Sequence, residues 1–169
     1  MIFRILHYLK IGKSMKKLSQ HEIEKIIKDF IEKYSNELYD RVYKNEEIVR
    51  SEGDKTSKIY IVKEGIFRIG KIENMKKDTT IALCRKFIPI VPISALVPDF
   101  PSLYEIRSIE NNLSKHNSIY EIDMKQWNGF AENDKSLQEL PKVFMHNNLT
   151  TLLQLFEKFR LNRNCRFTP

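Results

Sequence analysis

The stretch NEEIVRSEGDKTSKIYIVKEGIFRI, residues 45 to 69, decides the fold. Its apolar residues alternate or nearly alternate with other residues, which is the period of β-strands, at Ile48, Ile59, Ile61, Phe67 and Ile69. Gly53 and Gly65 punctuate these runs at turn positions. We therefore predict strands here, with KIYIVKEG and IFRIGKI forming a hairpin around Glu64 and Gly65.

Further short strands are predicted on the C-terminal side of this stretch. They are residues 79–84 (TTIALC), 87–91 (FIPIV), 104–109 and 118–122. A second chain reversal is expected in the polar residues 73–78, and Pro89 and Pro92 make the 87–91 strand an edge or irregular one. Many short strands without helical crossovers predict an antiparallel roll or barrel.

Helical patterns flank the predicted strands. Ser19 and Glu22 have the spacing of a capping box, and one apolar stripe follows at Ile23, Ile26, Ile27, Phe30, Ile31 and Tyr34. After Asp123 the pattern is helical to about Leu161. The predicted fold class is therefore α+β, mainly β: an antiparallel jelly roll, or double-stranded β-helix, with an N-terminal helix and a long C-terminal helix.

The C-terminal helix carries more apolar surface than one contact needs. One stripe has coiled-coil spacing and consists of Met145, Leu149, Leu152, Phe156 and Phe159. A second set lies on other faces and consists of Leu137, Leu140, Val143, Phe144, Leu153 and Leu155. We predict that the helix packs on its own roll and on a second copy of the chain; packing of both sets within one chain is the alternative. Pro141 either begins the long helix or kinks it.

Composition limits the classes of function. The 169 residues suit a single compact domain or a domain with a helical appendage, and no apolar run is long enough to cross a bilayer. The net charge is +7, but the basic excess lies in the two ends of the chain and the middle is neutral, unlike a nucleic-acid groove. Cys84 and Cys165 stand 81 residues apart, which indicates reduced cytosolic thiols and neither a disulfide framework nor a zinc site.

No catalytic constellation is present in the sequence. The four histidines, His7, His21, His116 and His146, lack partners at metal or triad spacing. No nucleophile elbow, P-loop or dinucleotide-binding glycine motif occurs. We expect no enzyme, no metal and no cofactor. Trp127 is interpreted as a core anchor.

The order of these elements resembles the sensor half of the Crp/Fnr family of bacterial transcription regulators. Tyr60 to Gly65 matches the recurrent Y-I-V-x-x-G signature of that family, and Arg68 follows it. Residues 105–123 look like the last strands of its roll. The ending LFEKFRLNRNCRFTP resembles the point where the dimerisation helix of the family leads into its DNA-binding half.

The resemblance implies four segments. They are a basic N-terminal extension (1–17), a cyclic-nucleotide-binding-like β-roll (18–133), a dimerisation helix (134–162) and a linker (163–169) toward a helix-turn-helix domain that this sequence does not contain. It also implies a cytoplasmic homodimer without a membrane span, which senses an unknown small-molecule effector or none. DNA would be bound only through a domain beyond Pro169.

The chain departs from the members of the family that bind cyclic nucleotides. Those members hold the phosphate and ribose with a Gly-Glu pair, the N-terminus of a short helix and an arginine. Here the Gly-Glu position falls in residues 91–94 (VPIS), and the arginine position falls near Leu103. A cyclic phosphate would lose a charge-assisted contact worth about 3 kcal/mol. We therefore expect that cyclic AMP is not the ligand.

The resemblance also gives candidate pocket residues. They are Ser94, Ser102, Leu103 and Tyr104 from the altered cassette, Arg68 and Arg85 from the strands, and Thr150 and Thr151 from the C-terminal helix. Two other interpretations remain open. The roll is a ligand-free dimerisation or protein-interaction module, or the basic start of the chain places the protein at a membrane surface.

Overall fold

The computed structural model describes residues 18–73, 77–97, 99–110, 116–141 and 143–144. Several predictions fall outside these residues: the N-terminal extension 1–17, Thr150 and Thr151, the proposed dimer stripe from Met145 to Phe159, and the linker 163–169. They stay predictions. No helix in the described part of the chain is both long and apolar enough to cross a membrane.

The first helix, α1, spans Gln20–Tyr34 and begins at the predicted capping box. The backbone N–H of Glu22 donates to Ser19 Oγ at 3.2 Å, and the backbone N–H of Ser19 donates to Glu22 Oε2 at 2.8 Å. Two N–H groups that the helix leaves without partners are thereby satisfied. Ile27 and Phe30 are buried, and the other members of the stripe pack around them, as predicted.

Eight strands form two antiparallel sheets of four strands each. The strands are β1 (Asp40–Tyr43), β2 (Ile48–Arg50), β3 (Lys58–Glu64), β4 (Phe67–Glu73), β5 (Lys77–Cys84), β6 (Pro89–Ile90), β7 (Glu105–Ser108) and β8 (Asn117–Asp123). The first sheet has the order β1-β8-β3-β6 and the second has the order β2-β7-β4-β5. The predicted jelly roll is confirmed, and β6, with Pro89, is an edge strand as expected.

The predicted hairpin between β3 and β4 is wrong. The two strands belong to different sheets, since β3 pairs with β8 and β6 whereas β4 pairs with β7 and β5. Gly65, with φ +88°, carries the chain from one sheet to the other, and Asn117 Oδ1 accepts the backbone N–H of Ile66 at 3.1 Å. A glycine turn can either close a hairpin or carry the chain between two sheets, so the local sequence does not distinguish these arrangements. The predicted reversal between β4 and β5 is a true hairpin, with Glu73 opposite Lys77.

Two short helices and one longer helical segment complete the fold. Helix α2 is Ile93–Leu96, and α3 is Met124–Ala131, which Asp123 caps by accepting the backbone N–H of Lys125 at 2.8 Å. A last helical segment, α4, comprises residues 135–141 and 143–144. Pro141 therefore lies inside α4 and does not begin it.

The core has two parts. One lies between the sheets and includes Tyr43, Val62, Phe67 and Ile106. The other joins the helices to the first sheet and contains Ile27, Phe30, Ile59, Ile122, Trp127, Leu137 and Leu140. Trp127 is a core anchor as predicted, with 2% of its surface exposed and its ring centroid 5.2 Å from that of Phe30. Leu137 and Leu140 pack in this second part of the core and hold the start of α4 against the roll of the same chain.

Candidate ligand-binding site

A cavity of about 260 Å³ lies beside β6 and α2. Both sheets, the segment before β7 and the last helix contribute to its wall, which consists of Ile69, Ile81, Ala82, Pro89, Ile90, Val91, Pro92, Ile93, Ser102, Tyr104, Ile106 and Phe144. The alternation of β4 and β7 turns Ile69 and Ile106 inward, and the Pro89–Pro92 stretch closes one side. The volume suits a small organic molecule.

The wall of this cavity is apolar. Only two of its side chains carry a polar atom, Ser102 and Tyr104, and none of its described residues is charged. The Ser102 hydroxyl donates to the backbone carbonyl of Tyr104 at 2.7 Å, and burial raises the pKa of Tyr104 above its ordinary value. A neutral tyrosine and aliphatic side chains favour an apolar ligand body.

A buried arginine lies behind one side of the cavity. Arg50, the last residue of β2, is 2% exposed. Its Nη2 donates to Ser94 Oγ at 2.6 Å and to the backbone carbonyl of Asp54 at 2.7 Å. Burial lowers the pKa of Arg50, whereas Tyr60 and Asp54 act in the opposite direction. The guanidinium stays protonated, because arginine has the highest pKa of the side chains.

The sequence-predicted residues divide into two groups. Ser102 and Tyr104 line the cavity, and Ser94 is buried in α2 directly after the wall residue Ile93. Leu103 is partly exposed and is not among the wall residues, and Arg85 is exposed after the end of β5. Thr150 and Thr151 lie outside the described residues.

Arg68 belongs to a polar cluster away from the cavity. It follows the inward-facing Phe67 in β4, and its Nη2 lies 3.8 Å from Glu105 Oε1. Arg107 Nε donates to the same oxygen at 2.7 Å. Arg107 therefore shares the side of Glu105, as strand parity predicts, while Ile106 points to the cavity.

Arg50 was not predicted from the sequence as a site residue. Its signal is an arginine at the end of an Ile-Val-Arg strand, three residues before the turn at Gly53. Phe144 was predicted to pack on the roll, but its place in the cavity wall was not foreseen. Among the described residues no group of three or more His, Cys, Asp or Glu side chains has the geometry of a metal site.

Comparison with solved structures gives the fold. A transcriptional regulator from Thermotoga maritima matches with a TM-score of 0.61 at 16% identity, over 75% of this chain and 95% of that one. The c-di-GMP-responsive global regulator CLP from Xanthomonas campestris matches with a TM-score of 0.57 at 14% identity, over 84% of this chain and 66% of CLP. The chain has the fold of a Crp/Fnr-type sensor domain.

The Crp/Fnr-type roll also occurs in the catabolite activator protein of Thermus thermophilus. That protein matches with a TM-score of 0.52 at 16% identity, over 82% of this chain and 58% of that one. The chain thus spans 58% and 66% of the Thermus and Xanthomonas proteins. No protein-family model matches the sequence, and no curated protein matches it.

Proposed function

We propose that the chain is the effector-sensing and dimerisation domain of a Crp/Fnr-type bacterial transcription regulator. A small molecule in the cavity shifts the equilibrium between two arrangements of the C-terminal helix. That helix in turn positions DNA-binding domains that follow residue 169. The domain acts in the cytoplasm, and it works by allostery and not by catalysis.

The position of Phe144 carries this proposal. Phe144 belongs to α4 and lines the same cavity as Ile69 of β4 and Ile90 of β6. A ligand in the cavity would therefore contact the roll and the helix together. A molecule that binds one placement of the helix better than another shifts the population toward that placement, which is the physical requirement for an allosteric effector.

We infer dimerisation from the sequence beyond Phe144. The stripe with coiled-coil spacing begins at Met145, on the next position of the predicted helix. Leu137 and Leu140, which precede it, are already used by the core of the same chain. An equivalent helix of another copy provides a symmetric partner that would bury the apolar side chains further along the helix.

Cyclic AMP is not the effector under this proposal. The cassette positions hold Val91 to Ser94 and Leu103 where the nucleotide-binding members carry Glu and Arg. The ribose hydroxyls and adenine nitrogens of cyclic AMP would face the aliphatic wall and lose hydrogen bonds to water. The Xanthomonas regulator CLP responds to c-di-GMP, which supports the view that this fold serves effectors other than cyclic AMP.

Two measurements test the proposal. The first is the reading frame of the gene after codon 169, where we expect a helix-turn-helix; an immediate stop codon would favour the ligand-free interaction module instead. The second is thermal unfolding of the chain with cyclic AMP, for which we expect no change in Tm. A clear rise in Tm at low micromolar cyclic AMP would refute the assignment of the effector.

A further inference from the structure

Arg50 is a buried cation with unused hydrogen-bond donors. Its Nη2 makes both of the hydrogen bonds described above, whereas its Nε and Nη1 have no acceptor among the described residues. No described carboxylate lies within ion-pair distance of it, although Tyr60 and Asp54 oppose the effect of burial on its pKa and so favour the charged form. Burying a charge without a contacting counter-ion is unfavourable, so a ligand that neutralises Arg50 directly would stabilise it.

Arg50 is not itself a wall residue, but both acceptors of its Nη2 adjoin residues of the cavity wall. Ser94, which accepts from Arg50, directly follows the wall residue Ile93. The backbone carbonyl of Asp54, the other acceptor, also accepts the backbone N–H of the wall residue Ser102 at 2.9 Å. Ser94 Oγ accepts from Arg50 and donates to none of the described residues, so its proton is available to a ligand.

We propose that Arg50 and Ser94 form the head-group site for an organic monocarboxylate, whose apolar body fills the cavity. This inference rests on the proposed sensor function and names the class of its effector. The carboxylate accepts from Arg50 Nη1 and from the Ser94 hydroxyl, and the aliphatic wall contacts the rest of the molecule. The arginine comes from β2, not from the cassette position near Leu103.

The charge of the site selects a monocarboxylate over a phosphate monoester. Arg50 supplies one positive charge, and the cavity wall adds none among its described residues. A monocarboxylate neutralises that charge completely. A phosphate monoester carries nearly two negative charges at neutral pH, so one charge would stay buried and uncompensated.

The test measures thermal unfolding of the whole chain with octanoate or phenylacetate, each paired with its primary amide. The amides keep the apolar body and lose the negative charge. We expect the acids at about 10 mM to raise Tm by roughly 4 °C or more, and the amides and inorganic phosphate to leave Tm nearly unchanged. Equal shifts with acid and amide, or no shift with either acid, would overturn the proposal.

The variant Arg50→Met separates a ligand site from a structural role. Methionine keeps the length of the side chain and removes the charge, so we expect a ligand-free Tm equal to or above that of the wild type, and no preference for acid over amide. The control is Arg41→Met, which removes a positive charge from a side chain that is 55% exposed. It should keep the preference for the acids.

Two results with these variants would overturn the proposal: a preference for acids that survives in Arg50→Met, or one that disappears in Arg41→Met. Should Arg50→Met fail to fold, Arg50→Gln replaces it with the same expectation. A helix-turn-helix after codon 169 together with no acid preference would leave the sensor function standing and remove only its carboxylate effector. The two proposals therefore fail separately.

Discussion

Nη2 of Arg50 donates to Oγ of Ser94 at 2.6 Å, across 44 residues of sequence, and joins β2 to α2. The bond links the short helix beside the cavity to a strand that contributes no residue to the cavity wall. Arg50 is thereby held beside α2 with its charge buried.

Replacing Ser94 with alanine tests how strongly the protein depends on this contact. The substitution removes one of the two acceptors of Arg50 Nη2 and leaves a charged donor buried. We expect a loss of about 2 kcal/mol in the free energy of unfolding, measured by urea denaturation. Ser51→Ala, on an exposed residue, is the control. A Ser94→Ala stability equal to that of the control would show that the hydrogen bond does not contribute.

Gly65 lies at the crossing between the two sheets, and Gly53 is a matched control for it. Both have positive φ, +88° and +89°, but a Cβ at Gly65 would lie 2.0 Å from Asn117 Oδ1, whereas a Cβ at Gly53 would meet nothing within 4 Å. We expect Gly65→Ala to lower the free energy of unfolding by about 3 kcal/mol and Gly53→Ala by about 1 kcal/mol. Equal losses in the two variants would contradict the close approach of Asn117.

The loss of folded-state stability at acid pH should depend on Glu121. Burial favours its neutral form, but hydrogen bonds from Lys58 and Tyr43 outweigh this, so the pKa of Glu121 lies below its ordinary value of 4.5. A carboxylate with a lowered pKa stabilises the folded chain above 4.5, and this contribution is lost as the pH falls through the folded-state pKa.

Unfolding in urea as a function of pH checks this dependence. We expect Glu121→Gln to be less stable than the wild type at neutral pH and to lose less of its stability between about pH 5 and pH 3. Glu132→Gln, on an exposed residue, is the control for removing a surface carboxylate. Parallel pH profiles for Glu121→Gln and the wild type would contradict the lowered pKa.

The thiol of Cys84 should be unreactive in the folded chain. The residue is 5% exposed, and burial raises the pKa of its thiol to about 11. A Cys165→Ser chain isolates this thiol. At about pH 8 it should react with a disulfide reagent only after urea is added, because the thiolate is the reactive form and the folded chain excludes the reagent. Rapid labelling without urea would show that β5 opens readily.

The sequence predicts the elements of this protein better than their pairing. The Ser19–Glu22 cap and the stripe of α1 are local features, and they determine a local structure. One of the two partners of β3 is β8, about 60 residues away in sequence, and no property of the Gly65 turn reveals it. The same limit applies to the site: Ser102 and Tyr104 come from the resemblance, whereas the burial of Arg50 depends on contacts with Ser94 and Asp54 that only the assembled roll creates.

Under both proposals taken together, the space between the roll and the C-terminal helix holds a small anionic effector. The most direct measurement is a crystal structure of the chain grown with 4-bromophenylacetate, with the bromine located by its anomalous signal. We predict the bromine in the cavity between Ile69 and Phe144, with the carboxylate within hydrogen-bonding distance of Arg50 Nη1. An empty cavity, or a carboxylate that points away from Arg50, would contradict the claim.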